Sequence, residues 1–188
     1  GEDAVRGPLL SASARPVLFV FVVGETARAA SFSLNGYARD TNPELRGDDV
    51  VDFTQVYSCG TATAESLPCM FSVFGRDEVE DRDRRRYESL LDVMRRGGFR
   101  VIWRDNNSGC KGLCEGFETD NLVHAAIPDL CQDGECFDEV LLTGLGDRLT
   151  GDSDLFLVLH QKGSHGPAYS RRYPEQFERF RPACQSAD

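Results

Sequence analysis

Residues 17–23 read V-L-F-V-F-V-V, seven apolar residues in a row between Arg15-Pro16 and Gly24-Glu25-Thr26. An unbroken run of β-branched and aromatic residues is how a strand covered on both faces reads. Such strands belong to parallel sheets enclosed by helices. The stretch D-L-F-L-V-L at 154–159 repeats the pattern, and F-R-V-I-W at 99–103 is a shorter version. V-V-D-F-T-Q-V-Y at 50–57 alternates in part and predicts one more strand. Between them, 64–74 predict a short helix despite Pro68. R-R-Y-E-S-L-L-D-V-M-R-R at 85–96 predicts an amphipathic helix with Tyr87, Leu90, Leu91 and Met94 on its apolar side, stopped by Gly97-Gly98. Residues 137–149 predict a further helix. Strands alternating with helices predict an α/β fold, an α/β/α sandwich with a mainly parallel sheet. The first fourteen residues read as a linker, leaving 15–188 as one domain.

Every predicted strand is followed at once by a polar, glycine-containing stretch. These are Gly24-Glu25-Thr26, Ser58 to Thr63, Arg104 to Ser108, and His160 to Gly166. Ligands of open parallel sheets bind at the carboxyl ends of the strands, so the four stretches should converge on one edge. Within Y-S-C-G-T-A-T-A-E-S-L-P-C-M-F at 57–71, the hydroxyls of Thr61, Thr63 and Ser66 stand where a strand hands over to a helix. Backbone N–H groups and the positive end of a helix dipole suit phosphate there. A threonine at that place is also an ordinary helix cap. Glu25 and Thr63 offer oxygen ligands to a divalent metal, which would make the hydroxyl a usable nucleophile. The rival reading of Glu25 is a surface glutamate opening a helix. Asn107, Lys111 and His165 are candidates to hold phosphate oxygens or protonate a leaving group. The H-G-P turn is the plainer role for His165. His160 reads equally well as a core histidine, and His124 as structural or solvent-facing.

The chain has 188 residues, 40% hydrophobic and 28% charged, which suits one domain with a core of its own. A net charge of −10 argues against a nucleic-acid partner. The arginines at 82, 84, 85, 86, 171 and 172 read as solvated faces. No apolar run is long enough to span a bilayer, and the opening Gly1-Glu2-Asp3 has no signal-peptide pattern. Six of the seven cysteines form close pairs, Cys59 with Cys69, Cys110 with Cys114 and Cys131 with Cys136, and Cys184 stands alone. Short pairs around glycine-containing loops read as disulfides of an oxidising compartment. Zinc knuckles are the rival, but the spacings are wrong for zinc ribbons and few histidines are near. An odd cysteine then predicts a partner downstream of residue 188.

Four segments carry a family resemblance: V-V-G-E-T-A-R-A-A-S-F-S-L-N-G-Y (22–37), S-C-G-T-A-T-A-E-S-L-P-C-M-F-S (58–72), W-R-D-N-N-S-G-C-K-G-L-C (103–114) and L-H-Q-K-G-S-H-G-P-A-Y (159–169). In this order they resemble the lipid A phosphoethanolamine transferases, the group that includes the enzymes of transferable colistin resistance. The resemblance implies an alkaline-phosphatase-like and sulfatase-like α/β/α catalytic domain on the periplasmic face of the bacterial inner membrane. That domain is anchored by N-terminal membrane helices absent here. It implies that Thr63 takes phosphoethanolamine from phosphatidylethanolamine and passes it to a lipid A phosphate. It further implies zinc held by Glu25 and Thr63 plus an Asp and a His of a later D-H-G motif. Residues matching Glu78, Asn107, Ser108, Lys111 and His165 line the substrate site, with Thr61 beside the nucleophile. The pairs Cys59–Cys69 and Cys131–Cys136 match family disulfides, and Cys110–Cys114 matches one found in many members. The D-H-G motif is missing from these residues, so the chain alone is expected neither to keep zinc tightly nor to turn over. Related alternatives are a phosphoglycerol or core-glycan phosphoethanolamine transferase and a non-enzymatic disulfide-rich domain. Cys59-Gly60-Thr61-Ala62-Thr63 argues against sulfatase activity, whose converted Cys or Ser sits in a different C/S-x-P-x-R motif.

Overall fold

The computed structural model describes residues 5–11, 14–74, 76 and 87–183. Glu78, Cys184 and the arginines at 82, 84, 85 and 86 lie outside the described residues. Four strands, β1 (Leu18–Val23), β2 (Arg100–Asp105), β3 (Glu118–Asn121) and β6 (Leu155–His160), form a parallel sheet in the order β1-β6-β2-β3. A separate two-stranded hairpin pairs β4 (Cys131–Gln132) with β5 (Glu135–Cys136). Its two-residue turn, Asp133-Gly134, has positive φ at both positions (54° and 79°), the geometry that fits the twist of a hairpin.

β6 is central and buried at all six residues. Its alternation feeds two cores. Phe156 and Val158 pack with Val101, Trp103, Leu67, Phe71 and Leu91 on one face. Leu155, Leu157 and Leu159 pack with Ile102, Val140 and Leu141 on the other. The first layer is roofed by two helices, α1 (Thr63–Met70) and α2 (Leu90–Arg96), and the second by the 3-10 turn Asp138–Leu142. This is the expected α/β fold, with a parallel sheet between two apolar layers.

Several sequence expectations need correction. β1, expected to be covered on both faces, is the edge strand of the described sheet. Leu18, Phe19, Val20 and Val22 are 45–53% exposed because only β6 adjoins them. Residues 50–57 form no strand. Among the described residues no ladder takes up their backbone, and Val51, Phe53, Val56 and Tyr57 stand in solvent. Of the amphipathic helix expected at 85–96, residues 85 and 86 lie outside the described residues, and the described helix starts at Leu90 because Ser89 caps it. Its hydroxyl accepts from the Asp92 N–H while the Asp92 carboxylate accepts from the Ser89 N–H. The helix expected at 137–149 breaks into the 3-10 turn and a short α-turn, Leu145–Arg148, at Gly144 with φ +61°. In the expected linker, Pro8–Ser11 make one helical turn and Arg6 pairs with Asp154. The polar strand β3 was not expected. It is held by charge rather than apolar pattern, through a bidentate Arg100–Glu118 pair and an Arg104–Asp120 pair at 2.7 Å.

Register levels the strand ends. Val23 pairs with His160, His160 with Asp105, and Asp105 with Asn121. The loops that begin at Gly24, Asn106 and Gln161 therefore leave the sheet side by side.

Candidate active site

Glu25 stands two residues past β1, and its carboxylate collects hydroxyl and amide donors. Thr26 donates to Oε1 at 2.7 Å, Thr63 donates to Oε2 at 2.9 Å, and Asn107 Nδ2 reaches Oε2 at 3.3 Å. Burial pushes the Glu25 carboxyl up, but the hydrogen bonds from Thr26, Thr63 and Asn107 and the nearby His165 outweigh it and hold it below the ordinary value. Glu25 is thus a carboxylate at neutral pH. It does not open a helix.

Thr63 is the first residue of α1, and the helix cap is Ala62, which makes no side-chain cap bond. The Thr63 hydroxyl goes across the site to Glu25 instead of back to its own helix. The capping role is therefore excluded for this side chain. Although 50–57 form no strand, Thr63 still reaches the rim because α1 packs through Leu67 and Phe71 on Trp103 and Phe156. The disulfide Cys59–Cys69 ties the segment before Thr63 to the last turn of that helix.

Asn107 is buried and its amide also donates to the Gln161 carbonyl at 2.7 Å, bridging the loops after β2 and β6. Its place is set by Asp105, at the end of β2. One carboxylate oxygen of Asp105 accepts from the Asn107 and Gly109 N–H groups at 2.8 and 3.2 Å. The other accepts from Trp103 Nε1 and faces His160 Nδ1, each at 2.9 Å. Burial acts to raise the Asp105 pKa, yet bonds from His160, Trp103 and the Asn107 backbone pull it down to about 2. An ionised carboxylate only accepts, so the His160 nitrogen facing it carries a proton. His160, 1% exposed, is a satisfied core histidine.

The remaining candidates lie farther out. Ser108 is exposed, and Lys111, at φ +53°, donates to the Ser108 carbonyl at 2.6 Å rather than to Glu25 or Thr63. Lys111 rides on the loop closed by Cys110–Cys114, and Ser108 lies two residues before that loop. Thr61 is exposed two residues before Thr63. His165 acts on Glu25 through space, and its Nδ1 lies 2.8 Å from the Gly166 carbonyl. Two oxygen donors, from Glu25 and Thr63, lie close enough to share one cation. Among the described residues no group of three or more His, Cys, Asp or Glu side chains could hold a metal. These donors fit two of the four positions of a tetrahedral zinc, with further ligands needed from elsewhere.

Sequence reading missed the groups behind the site: Asp105, Asp138, Glu135 and Arg172. Asp138 accepts from the backbone N–H groups of Lys162 and Gly163, and Arg172 donates to the His165 carbonyl. The Asp133-Gly134 turn signal was available in the sequence and marks the hairpin that carries Glu135. Nothing local marked the partners of Asp138.

The family described as Sulfatase matches residues 18–188. The chain is 48% identical over 187 residues to the phosphoethanolamine transferase EptA of Escherichia coli K12, covering 99% of this chain and 34% of that protein. It is 43% identical to the phosphatidylethanolamine transferase Mcr-2 of Escherichia coli, covering 98% of this chain and 36% of that one. The crystal structure of the soluble domain of lipooligosaccharide phosphoethanolamine transferase A from Neisseria meningitidis superposes with a TM-score of 0.88 at 45% identity. It covers 94% of this chain and 54% of that one. The chain therefore spans about a third of the length of these curated relatives and about half of that solved domain.

Proposed function

The chain belongs to the family described as Sulfatase, and from its likeness to phosphoethanolamine transferases we propose that it is part of such an enzyme in which Thr63 is the nucleophile. The observation that carries the reading is the 2.9 Å bond from the Thr63 hydroxyl to Glu25, made at the first residue of α1 by a side chain that has given up helix capping. The positive end of that helix favours the phosphoryl oxygens of a bound substrate.

The proposed reaction is a double displacement. Thr63 Oγ gives up its proton to water and forms a bond to the phosphorus of phosphatidylethanolamine, and the bond from phosphorus to the diacylglycerol oxygen breaks. His165 gives that leaving oxygen a proton. A phosphate oxygen of lipid A then attacks the phosphorus on Thr63, the bond from phosphorus to Thr63 Oγ breaks, and Thr63 takes a proton from water to leave as the hydroxyl. Asn107 holds Glu25 and the Gln161 loop in place, while Thr61, Ser108, Lys111 and Glu78 are assigned to the substrate. Zinc held by Glu25, Thr63 and ligands outside this chain would lower the pKa of the Thr63 hydroxyl. The donor chemistry of Glu25 and Thr63 and the likeness to phosphoethanolamine transferases support this assignment. Residues 15–188 are assigned to the periplasmic catalytic domain, on the outer face of the bacterial inner membrane, with residues 1–14 leading from a membrane anchor.

Mass spectrometry of the full-length protein incubated with phosphatidylethanolamine tests the reading. A phosphoethanolamine adduct on Thr63, absent in Thr63→Ala, is expected. An adduct on another residue, or none, would sink it.

A further inference from the structure

The loop after β6, residues 161–166, presses on Glu25 and carries His165, yet little within the loop holds it. Ser164 N–H donates to the Glu25 carbonyl at 3.0 Å. Gly163, at φ +54°, lies so close that a β-carbon there would sit 2.6 Å from the Glu25 carbonyl oxygen and 2.9 Å from its nitrogen. The loop is therefore in van der Waals contact with the Glu25 backbone, and a shift of the loop moves Glu25.

Its first residue, Gln161, is held by Asn107 and Val23, and what fixes the rest comes from the hairpin β4–β5 and the turn after it, more than twenty residues away in sequence. Asp138 accepts from Lys162 N–H at 2.7 Å on one carboxylate oxygen and from Gly163 N–H at 2.8 Å on the other. Asn106, 1% exposed at the end of β2, donates its amide to the same Asp138 oxygen as Lys162 at 2.9 Å and to the Cys136 carbonyl at 3.0 Å. The bracket is thereby tied to the sheet. Glu135, in the hairpin closed by Cys131–Cys136, pairs with Arg172 at 2.9 Å, and Arg172 Nε donates to the His165 carbonyl at 2.7 Å. The Arg172 side chain is 7% exposed, so this bond is shielded from water.

We propose that Asp138 and the Glu135–Arg172 pair are positioning residues for the transfer site, Asp138 setting Glu25 through the backbone of Lys162 and Gly163, and Arg172 setting His165. The proposal rests on the reading of Glu25 as a metal ligand and His165 as a proton donor. It assigns two separable arms. The Asp138 arm controls how well Glu25 is presented to a cation, and the Arg172 arm controls proton delivery without touching the cation.

The test uses purified full-length protein, zinc affinity measured by competition with a chromophoric chelator, the yield of the Thr63 adduct, and melting temperature. Groups that orient a metal ligand typically matter by about 10–100-fold in metal affinity. Asp138→Ala is expected to weaken zinc by about that factor and to lower the adduct yield. Asp138→Asn, which keeps one acceptor, is expected to fall between it and the unmodified protein. Arg172→Ala is expected to leave zinc affinity unchanged while slowing adduct formation. If Asp138→Ala does not fold, Gly163→Ala probes the same contact from the other side and should weaken zinc likewise. Glu25→Ala is the control for the underlying reading. Unchanged zinc affinity in Glu25→Ala would overturn the site itself. Loss in Glu25→Ala with unmodified affinity in Asp138→Ala, whatever its melting temperature, would overturn the bracket alone.

Discussion

The loops after β2 and after β6 meet at Glu25 but are held in opposite ways. The first is anchored from within. Asp105, the last residue of β2, takes the N–H groups of residues two and four positions ahead of it, and its second oxygen is fixed by Trp103 and by His160 on the adjacent strand. The second is anchored from outside, by carboxylates on a hairpin and turn that share no strand with it. An anchor buried in the sheet couples the site to global stability, whereas an anchor on a hairpin and turn outside the sheet couples it to local geometry. Damage to the first should unfold the domain, and damage to the second should misplace Glu25 in a domain that stays folded.

The largest expected effect breaks the internal anchor. Asp105→Ala leaves Trp103 Nε1, the His160 ring and two backbone N–H groups without their acceptor, and should cost about 3–4 kcal/mol in denaturant unfolding. A loss below about 1 kcal/mol would show that the buried carboxylate is not the anchor.

Acid sharpens the same point without mutation. The Asp105 pKa is lowered in the folded state to about 2 from 3.8, so its contribution is complete above about pH 4 and is lost as the pH falls toward 2. The loss should be roughly 2 kcal/mol, and should be missing from the acid unfolding curve of Asp105→Asn. An identical acid limb in both proteins would move the effect to other carboxylates.

Gly163→Ala strains the outer loop. An alanine at positive φ against the Glu25 backbone should cost about 1–2 kcal/mol, with thermal unfolding as the measure. The smallest effect belongs to Lys162→Ala. Its ammonium pairs with Glu135 at 3.3 Å in a partly exposed setting, and removal should change stability by about 0.5 kcal/mol or less. The Lys162 backbone N–H, which Asp138 holds, survives that change.

β1 and β6 show how far the sequence could be read. L-F-V-F-V-V and L-F-L-V-L-H are nearly equal in apolar content, yet β6 is buried at every residue and β1 stands half open. Composition sets that a run prefers a sheet, while its place in the strand order sets how many neighbours it receives. The same holds at 50–57, where an apolar pattern that joins no ladder among the described residues stands in solvent. β3 is the converse, a strand of charged residues recruited by Arg100 and Arg104.

The amino-acid sequence by itself determined that the sheet is parallel, that polar loops follow its strands, and that Glu25, Thr63 and Asn107 are the groups to watch, because periodicity and turn chemistry act over a few residues. Only the tertiary structure decided which strand lies at the edge, that the Thr63 hydroxyl leaves its helix for Glu25, and that Asp138, Glu135 and Arg172 stand behind the site. Those contacts join residues tens of positions apart, and their energies depend on burial and approach distance that no local pattern encodes.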